Sequence, residues 1–303
     1  METQVPGIAE IFSHWTIDVV WVAVLLGSGY VYLRAFRRFN ATKPRVPHPK
    51  WKAWAFCGGL VIIAIGVLSP IEYYGNRLLF IDFLGFLLIT MWGPPLLLLG
   101  SPLTLAFRVS GKPMRARLRR AYRSMPVRVV TFPITSWLIF AIATWVWQFS
   151  KLTDIAARNM LIRDLQEFSL VAVAIIFWTP ALCTDPVRWR PPYPVRGLYV
   201  FVEMTHKAFV GAIFLAMTAP YHTEMARNLP AWGPNAMYDQ TLAILILWIG
   251  GNMVFLISIG GIIARWMSFE GRQTVRIDKQ LAKEHEAAVR HKQALEQVFR
   301  KTV

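Results

Sequence analysis

Met217, His222, Glu224 and Met225 place two thioethers, an imidazole and a carboxylate in one short stretch. Thioether plus imidazole suits Cu(I), because soft donors select a soft ion. Met217, His222 and Met225 are therefore the candidate metal ligands, with ordinary packing as the competing reading. A second set is carboxylate: Asp18, Asp82, Asp164, Glu167 and Asp239. Gathered at one depth these would line a polar pocket; paired with Arg77 or Arg163 they would be structural. A third set, Glu203, His206 and Lys207, follows helical spacing, so Glu203 and Lys207 at i, i+4 can neutralise each other and His206 could relay a proton. Cys57 and Cys183 read as small buried hydrophobes without a disulfide. The chain has no HxxxH, CxxC, phosphate loop or nucleophile elbow, which argues against an enzyme.

The elements that position these residues are apolar runs at about 15–33, 53–68, 78–99, 129–149, 161–183, 196–218 and 239–264. Runs of this length match a hydrocarbon layer of about 30 Å, and the expected fold is all-α: a bundle of seven transmembrane helices with a cytoplasmic C-terminal helix. The corresponding divisions are residues 1–14, an extracytoplasmic start; 15–267, the membrane domain; and 268–303, a charged helical tail. Lys and Arg crowd the first, third and fifth connections and the tail, while the second, fourth and sixth are nearly free of them. Basic residues collect on the cytoplasmic side, which places the N-terminus outside, the C-terminus inside and the carboxylate set toward the exterior. Before the first run there is only Glu2 and Glu10, so no positively charged signal region is expected. Pro94 and Pro95 inside the third run remove two backbone donors and predict a kink or a local unwinding there.

The formal charge of +16 follows from this topology and needs no nucleic-acid partner. Met114, Leu118, Tyr122 and Met125 recur at helical spacing among arginines, predicting a short amphipathic helix on the membrane that attracts anionic lipid or docks a partner. In the tail, Leu281, Ala288 and Leu295 recur every seven residues with Val298 and Phe299 following, which predicts a charged helix.

The run Pro94, Pro95, Leu96 to Leu99, Gly100, Ser101, Pro102 resembles the seven-span CtaG family of caa3-type cytochrome c oxidase assembly factors. Phe177, Trp178, Thr179, Pro180 and Tyr238, Asp239, Gln240 carry the resemblance further, as do Trp248, Gly250, Gly251, Arg265 and Trp266. It implies a multi-pass protein of the bacterial plasma membrane that helps build a haem-copper oxidase, with oxidase subunits as partners and copper as cargo. The family pattern implies an HxxxH pair in the third run and histidines early in the fifth. Asp82 and Phe86, then Arg163 and Glu167, stand at those positions here. Hard carboxylates favour Cu(I) much less than imidazole does. Two other readings therefore stay open: a metal-free scaffold for oxidase subunits, and a metal, proton or small-solute transporter stepping through Asp82, Glu167, Glu203 and His206.

Overall fold

The computed structural model describes the backbone of residues 7–302 except positions 149, 151 and 187, and the same side chains except those of 8, 9 and 290–302. Glu2 and Lys151, and the side chains of Leu295, Val298 and Phe299, lie outside the described residues. In order the helices are α1 (Ile8–Ile11), α2 (Val19–Ala41), α3 (Lys50–Leu68), α4 (Pro70–Gly75), α5 (Leu79–Leu87), a π-helical turn (Leu88–Trp92), α6 (Gly93–Leu99), α7 (Pro102–Val109), α8 (Lys112–Tyr122) and α9 (Met125–Val130). They continue as α10 (Pro133–Gln148), α11 (Leu152–Ala156), α12 (Met160–Leu182), α13 (Tyr193–Leu215), α14 (Thr223–Arg227) and α15 (Ala236–Thr302). No strand forms among the described residues. The protein is a helical membrane bundle: six stretches, Val19–Ala41, Lys50–Leu68, Leu79–Val109, Met160–Leu182, Tyr193–Leu215 and Ala236–Val289, are long and apolar enough to cross a bilayer. The expected fourth span forms α10, only 16 residues long and so about 24 Å at the helical rise. Six of the seven expected spans are thus of full length among the described residues, and the fourth is a shorter helix.

The first helix begins later than its apolar run, because the Asp18 carboxylate accepts hydrogen bonds from Val20 N (2.7 Å) and Trp21 N (2.9 Å) and so fixes the start of α2. Close packing of α3 on α6 depends on a missing side chain: a Cβ on Gly59 would come within 2.8 Å of both Gly93 O and Leu97 N. Membrane helices approach this closely only through small residues.

The break in the third span lies one turn ahead of the proline pair. Pro94 has no N–H to give to Thr90 O, and the chain widens into the π turn just before it, with Gly93 N bonding Leu88 O. The stranded Thr90 carbonyl instead accepts the Trp178 indole N–H at 3.0 Å. Pro94 and Pro95 thus open α6 directly after this local unwinding, and both are buried.

Two helix starts that lack their own side-chain cap borrow one from far along the chain. Asp239, at the head of α15, accepts from Leu79 N (2.9 Å) and Phe80 N (3.1 Å) of α5. Asp185 accepts from Leu103 N (3.2 Å), Thr104 N (2.8 Å) and the Thr104 hydroxyl (2.6 Å) of α7. Each pins two distant segments at opposite ends of the bundle. Of the expected amphipathic helix, Met114, Leu118 and Tyr122 fall on α8, which buries none of its residues, while Met125 begins α9. Residues to Ser258 make one compact unit, and those from Ile259 make a second, the continuing helix, whose described side chains are almost all exposed to position 289.

Candidate functional site

Arg163 on α12 is the centre of the carboxylate set. Its guanidinium forks onto Glu72 of α4, with Nε to Oε1 at 3.0 Å and the terminal Nη2 to Oε2 at 2.8 Å. The other terminal nitrogen donates to Asp82 Oδ1 of α5 at 2.7 Å, and Nε lies 3.4 Å from Glu167 Oε1 one turn along α12. All three carboxylates are buried, at 4–6% exposure. Three potential negative charges therefore share one positive charge in a medium where an uncompensated ion is costly.

Two spaces flank this centre. A vestibule of about 250 Å³ is lined by Asp18, Glu72, Asp164, Arg163 and Glu167 among others. Deeper lies a space of about 20 Å³, bordered by Asp82, Phe86, Gln148, Arg163, Gln166 and Glu167. Arg163 and Glu167 line both, so they form the partition between them. The four positions at which the family resemblance implies histidines, 82, 86, 163 and 167, converge on this one inner space.

Of the five expected pocket carboxylates, Asp18, Asp82, Asp164 and Glu167 line these two spaces. Asp239 lines neither of them; it is spent on the α5 cap, because the open Leu79 and Phe80 amides offer it two donors. Nor does Arg77 serve the carboxylates: its guanidinium lies over the Tyr73 ring, 4.8 Å from the centroid. Glu72 escaped the sequence reading, although Ser69, Pro70 and Glu72 spell a helix start with a capping-box glutamate. The Ser69 hydroxyl does accept from Ile71 N, while the Glu72 side chain turns to Arg163. Gln148 and Gln166 were also missed, since uncharged amides give no charge signal along an apolar helix.

On α13 the expected Glu203–Lys207 pair belongs to a wider arrangement. The Trp145 indole donates to His206 Nε2 at 2.7 Å. An indole N–H can only donate, so Nε2 accepts here, and Nδ1 lies 3.2 Å from Glu203 Oε1. Lys207 has no hydrogen-bond partner at Nζ. It rests over the rings of Phe86 and Phe140, 4.4 and 5.1 Å from their centroids, where cation–π attraction adds to the electrostatic pull of Glu203. Phe86 thus stands between the lysine and the inner space.

His222, Met225 and Met217 occupy the connection from α13 to α15 and its approach. His222 and Met225 are buried, and Met217 packs against Val210, Phe214 and Ile244. The His222 ring stacks on Phe214 at 6.0 Å and its Nδ1 is 3.8 Å from Asp154 Oδ1. Neither ring nitrogen has a hydrogen-bond partner. Burial holds its pKa below 6.5, against the opposing pull of Asp154 and Asp82. No trio of His, Cys, Asp and Glu converges to hold a metal among the described residues, so any metal here would rely on sulfur.

Comparison with known proteins agrees with this architecture. The family of cytochrome c oxidase caa3 assembly factors (Caa3_CtaG) matches residues 30–268. An uncharacterized protein of Mycobacterium leprae is 27% identical over 91% of this chain and 43% of its own length. Uncharacterized proteins of Mycobacterium bovis and Mycobacterium tuberculosis are each 26% identical over the same shares. The chain spans less than half the length of these relatives. No solved structure matches. With the family model matching residues 30–268, most of the bundle, this chain belongs to the cytochrome c oxidase caa3 assembly factor family.

Proposed function

We propose that the protein is a non-catalytic membrane assembly factor for a haem-copper cytochrome c oxidase, acting at copper-site maturation. The observation that carries this is the family match across residues 30–268. Copper is cargo in this reading. The residues offered to it are Met217, His222 and Met225, and an imidazole with both nitrogens unpartnered in a buried setting fits a ligand better than a packing residue. The Arg163 centre has a different task. A guanidinium bound to three carboxylates supplies its own cation, so this pocket holds α4, α5 and α12 together without soft-metal ligands.

The protein resides in this reading in the bacterial plasma membrane with its N-terminus outside and its C-terminus in the cytoplasm, as the distribution of basic residues directs. The partners are oxidase subunits and, at the cytoplasmic face, anionic lipid. A groove of about 620 Å³ lined by Arg108, Arg115, Arg119 and Arg123 over Phe39, Phe107 and Tyr122 suits a lipid phosphate above an acyl chain.

Deleting the gene tests the proposal: oxidase activity and oxidase copper fall, and the intact gene restores both. An oxidase with normal activity and copper in the deletion strain contradicts it. Copper that binds the purified protein stoichiometrically and is lost on His222→Ala supports the cargo role. Copper-free protein that still co-purifies with oxidase subunits favours the metal-free scaffold, which the missing family histidines motivate.

A further inference from the structure

Besides Arg163, the polar side chains that line the inner space are Asp82, Glu167, Gln148 and Gln166, each of which carries an oxygen able to accept or coordinate. Asp82 and Glu167 each present a carboxylate, of which Arg163 engages one oxygen. Gln148 and Gln166 are 4% and 5% exposed, and the Oε1 of each is buried without a hydrogen-bond partner. Native proteins rarely bury an acceptor unpaired, and two in one cavity call for a guest that donates or coordinates. The space, about 20 Å³, accommodates one particle of water size.

Charge points the same way. Glu72 from α4, Asp82 from α5 and Glu167 from α12 gather three carboxyl groups around the single guanidinium of Arg163. Asp18 and Asp164 add further carboxylates across the vestibule. Lys207 of α13 is buried over the Phe86 ring, which lines the inner space, and does not itself line it.

We propose that the inner space is a binding site for one small, singly charged, oxygen-coordinated cation. Asp82, Glu167, Gln148 and Gln166 supply the ligands, and the Arg163–Glu167 partition separates the site from the vestibule. The chemistry fits a sodium ion or a hydronium ion, since hard cations take carboxylate and amide oxygens. The site goes beyond the oxidase reading and is tested on purified protein alone, so either can fail without the other.

The test is the melting temperature of the full chain in mild detergent, with sodium replacing choline at constant ionic strength, at near-neutral and acidic pH. Wild type is compared with Gln148→Leu, which keeps the helix and removes one ligand oxygen, and with Glu167→Gln. A ligand that binds only the folded state raises the melting temperature saturably. A saturable rise with sodium that is weakened in Gln148→Leu and lost in Glu167→Gln establishes the sodium form. A rise on acidification in choline alone, relative to Gln148→Leu and with no further effect of sodium, establishes the hydronium form. If Glu167→Gln does not fold, Gln166→Leu takes its place. Should neither sodium nor acid shift wild type relative to Gln148→Leu, the proposal is overturned.

Discussion

Asp239 and Glu167 are both buried carboxylates, 3% and 4% exposed, yet they face opposite situations. Asp239 meets two backbone donors, one for each oxygen, and its work is finished when α5 is capped. Asp185 on α7 repeats the pattern. Around Glu167 three carboxylates share one guanidinium, and the amide oxygens of Gln148 and Gln166 have no hydrogen-bond partner. Hydrogen-bond satisfaction, more than burial or charge, separates a carboxylate that holds the fold from one that waits for something else.

The largest expected effect breaks the unsatisfied side of this contrast. Arg163→Met strands three buried carboxylates, and removing one partner of a buried pair costs about 3–5 kcal/mol. Folded protein falls sharply on size-exclusion chromatography, and adding Glu72→Met to the same chain recovers part of it. An Arg163→Met protein as stable as wild type would remove the electrostatic basis of the site.

Next in size is the satisfied side. Asp239→Ala leaves the Leu79 and Phe80 amides without their acceptor, at about 1–3 kcal/mol. A lowered melting temperature is the expected outcome, whereas an unchanged one would mean that the α5 start finds another acceptor. Gly211→Ala falls in the same range, about 1–3 kcal/mol for overpacking, because its Cβ would meet the Trp248 indole at 2.2 Å.

A smaller effect is read through pH at the other end of the bundle. His48 is buried, and its ring lies 3.1 Å from Gly100 O and 3.2 Å from the Tyr32 hydroxyl. Burial holds its pKa below 6.5, with the cations Lys52 and Arg108 adding to the effect and the Gly100 carbonyl opposing it. A base harder to protonate when folded contributes stability that is complete above 6.5 and is lost as pH falls through the folded value. His48→Gln should flatten the acid side of the melting profile; an unchanged acid limb would assign that slope to other groups. The smallest effect belongs to the surface: Arg119→Gln weakens binding to anionic vesicles by about 1 kcal/mol, measured by co-sedimentation, and a loss much larger than this would point to a specific headgroup site.

The helical bundle was legible in the sequence because apolar length and basic-residue placement are direct consequences of the bilayer. The sites were legible only in part. Asp18, Asp82, Asp164 and Glu167 announced themselves as charges in apolar runs, but the partner of each depended on tertiary placement. Asp239 could not be told from them without knowing that α5 begins beside it. The Glu203–Lys207 spacing fits an i, i+4 pair, and the aromatic floor of Phe86 and Phe140 that took the lysine comes from two other helices. Pro94 marked a disturbance correctly, while the π turn ahead of it and the Trp178 indole that relieves it arise from packing.

The contrast between a satisfied and an unsatisfied carboxylate is tested most directly by melting purified Glu167→Gln and Asp239→Asn beside wild type, with sodium replacing choline at constant ionic strength and at near-neutral and acidic pH. The account predicts that Asp239→Asn melts lower yet keeps the wild-type response to sodium or acid, and that Glu167→Gln loses that response. An undiminished response in Glu167→Gln would contradict the account.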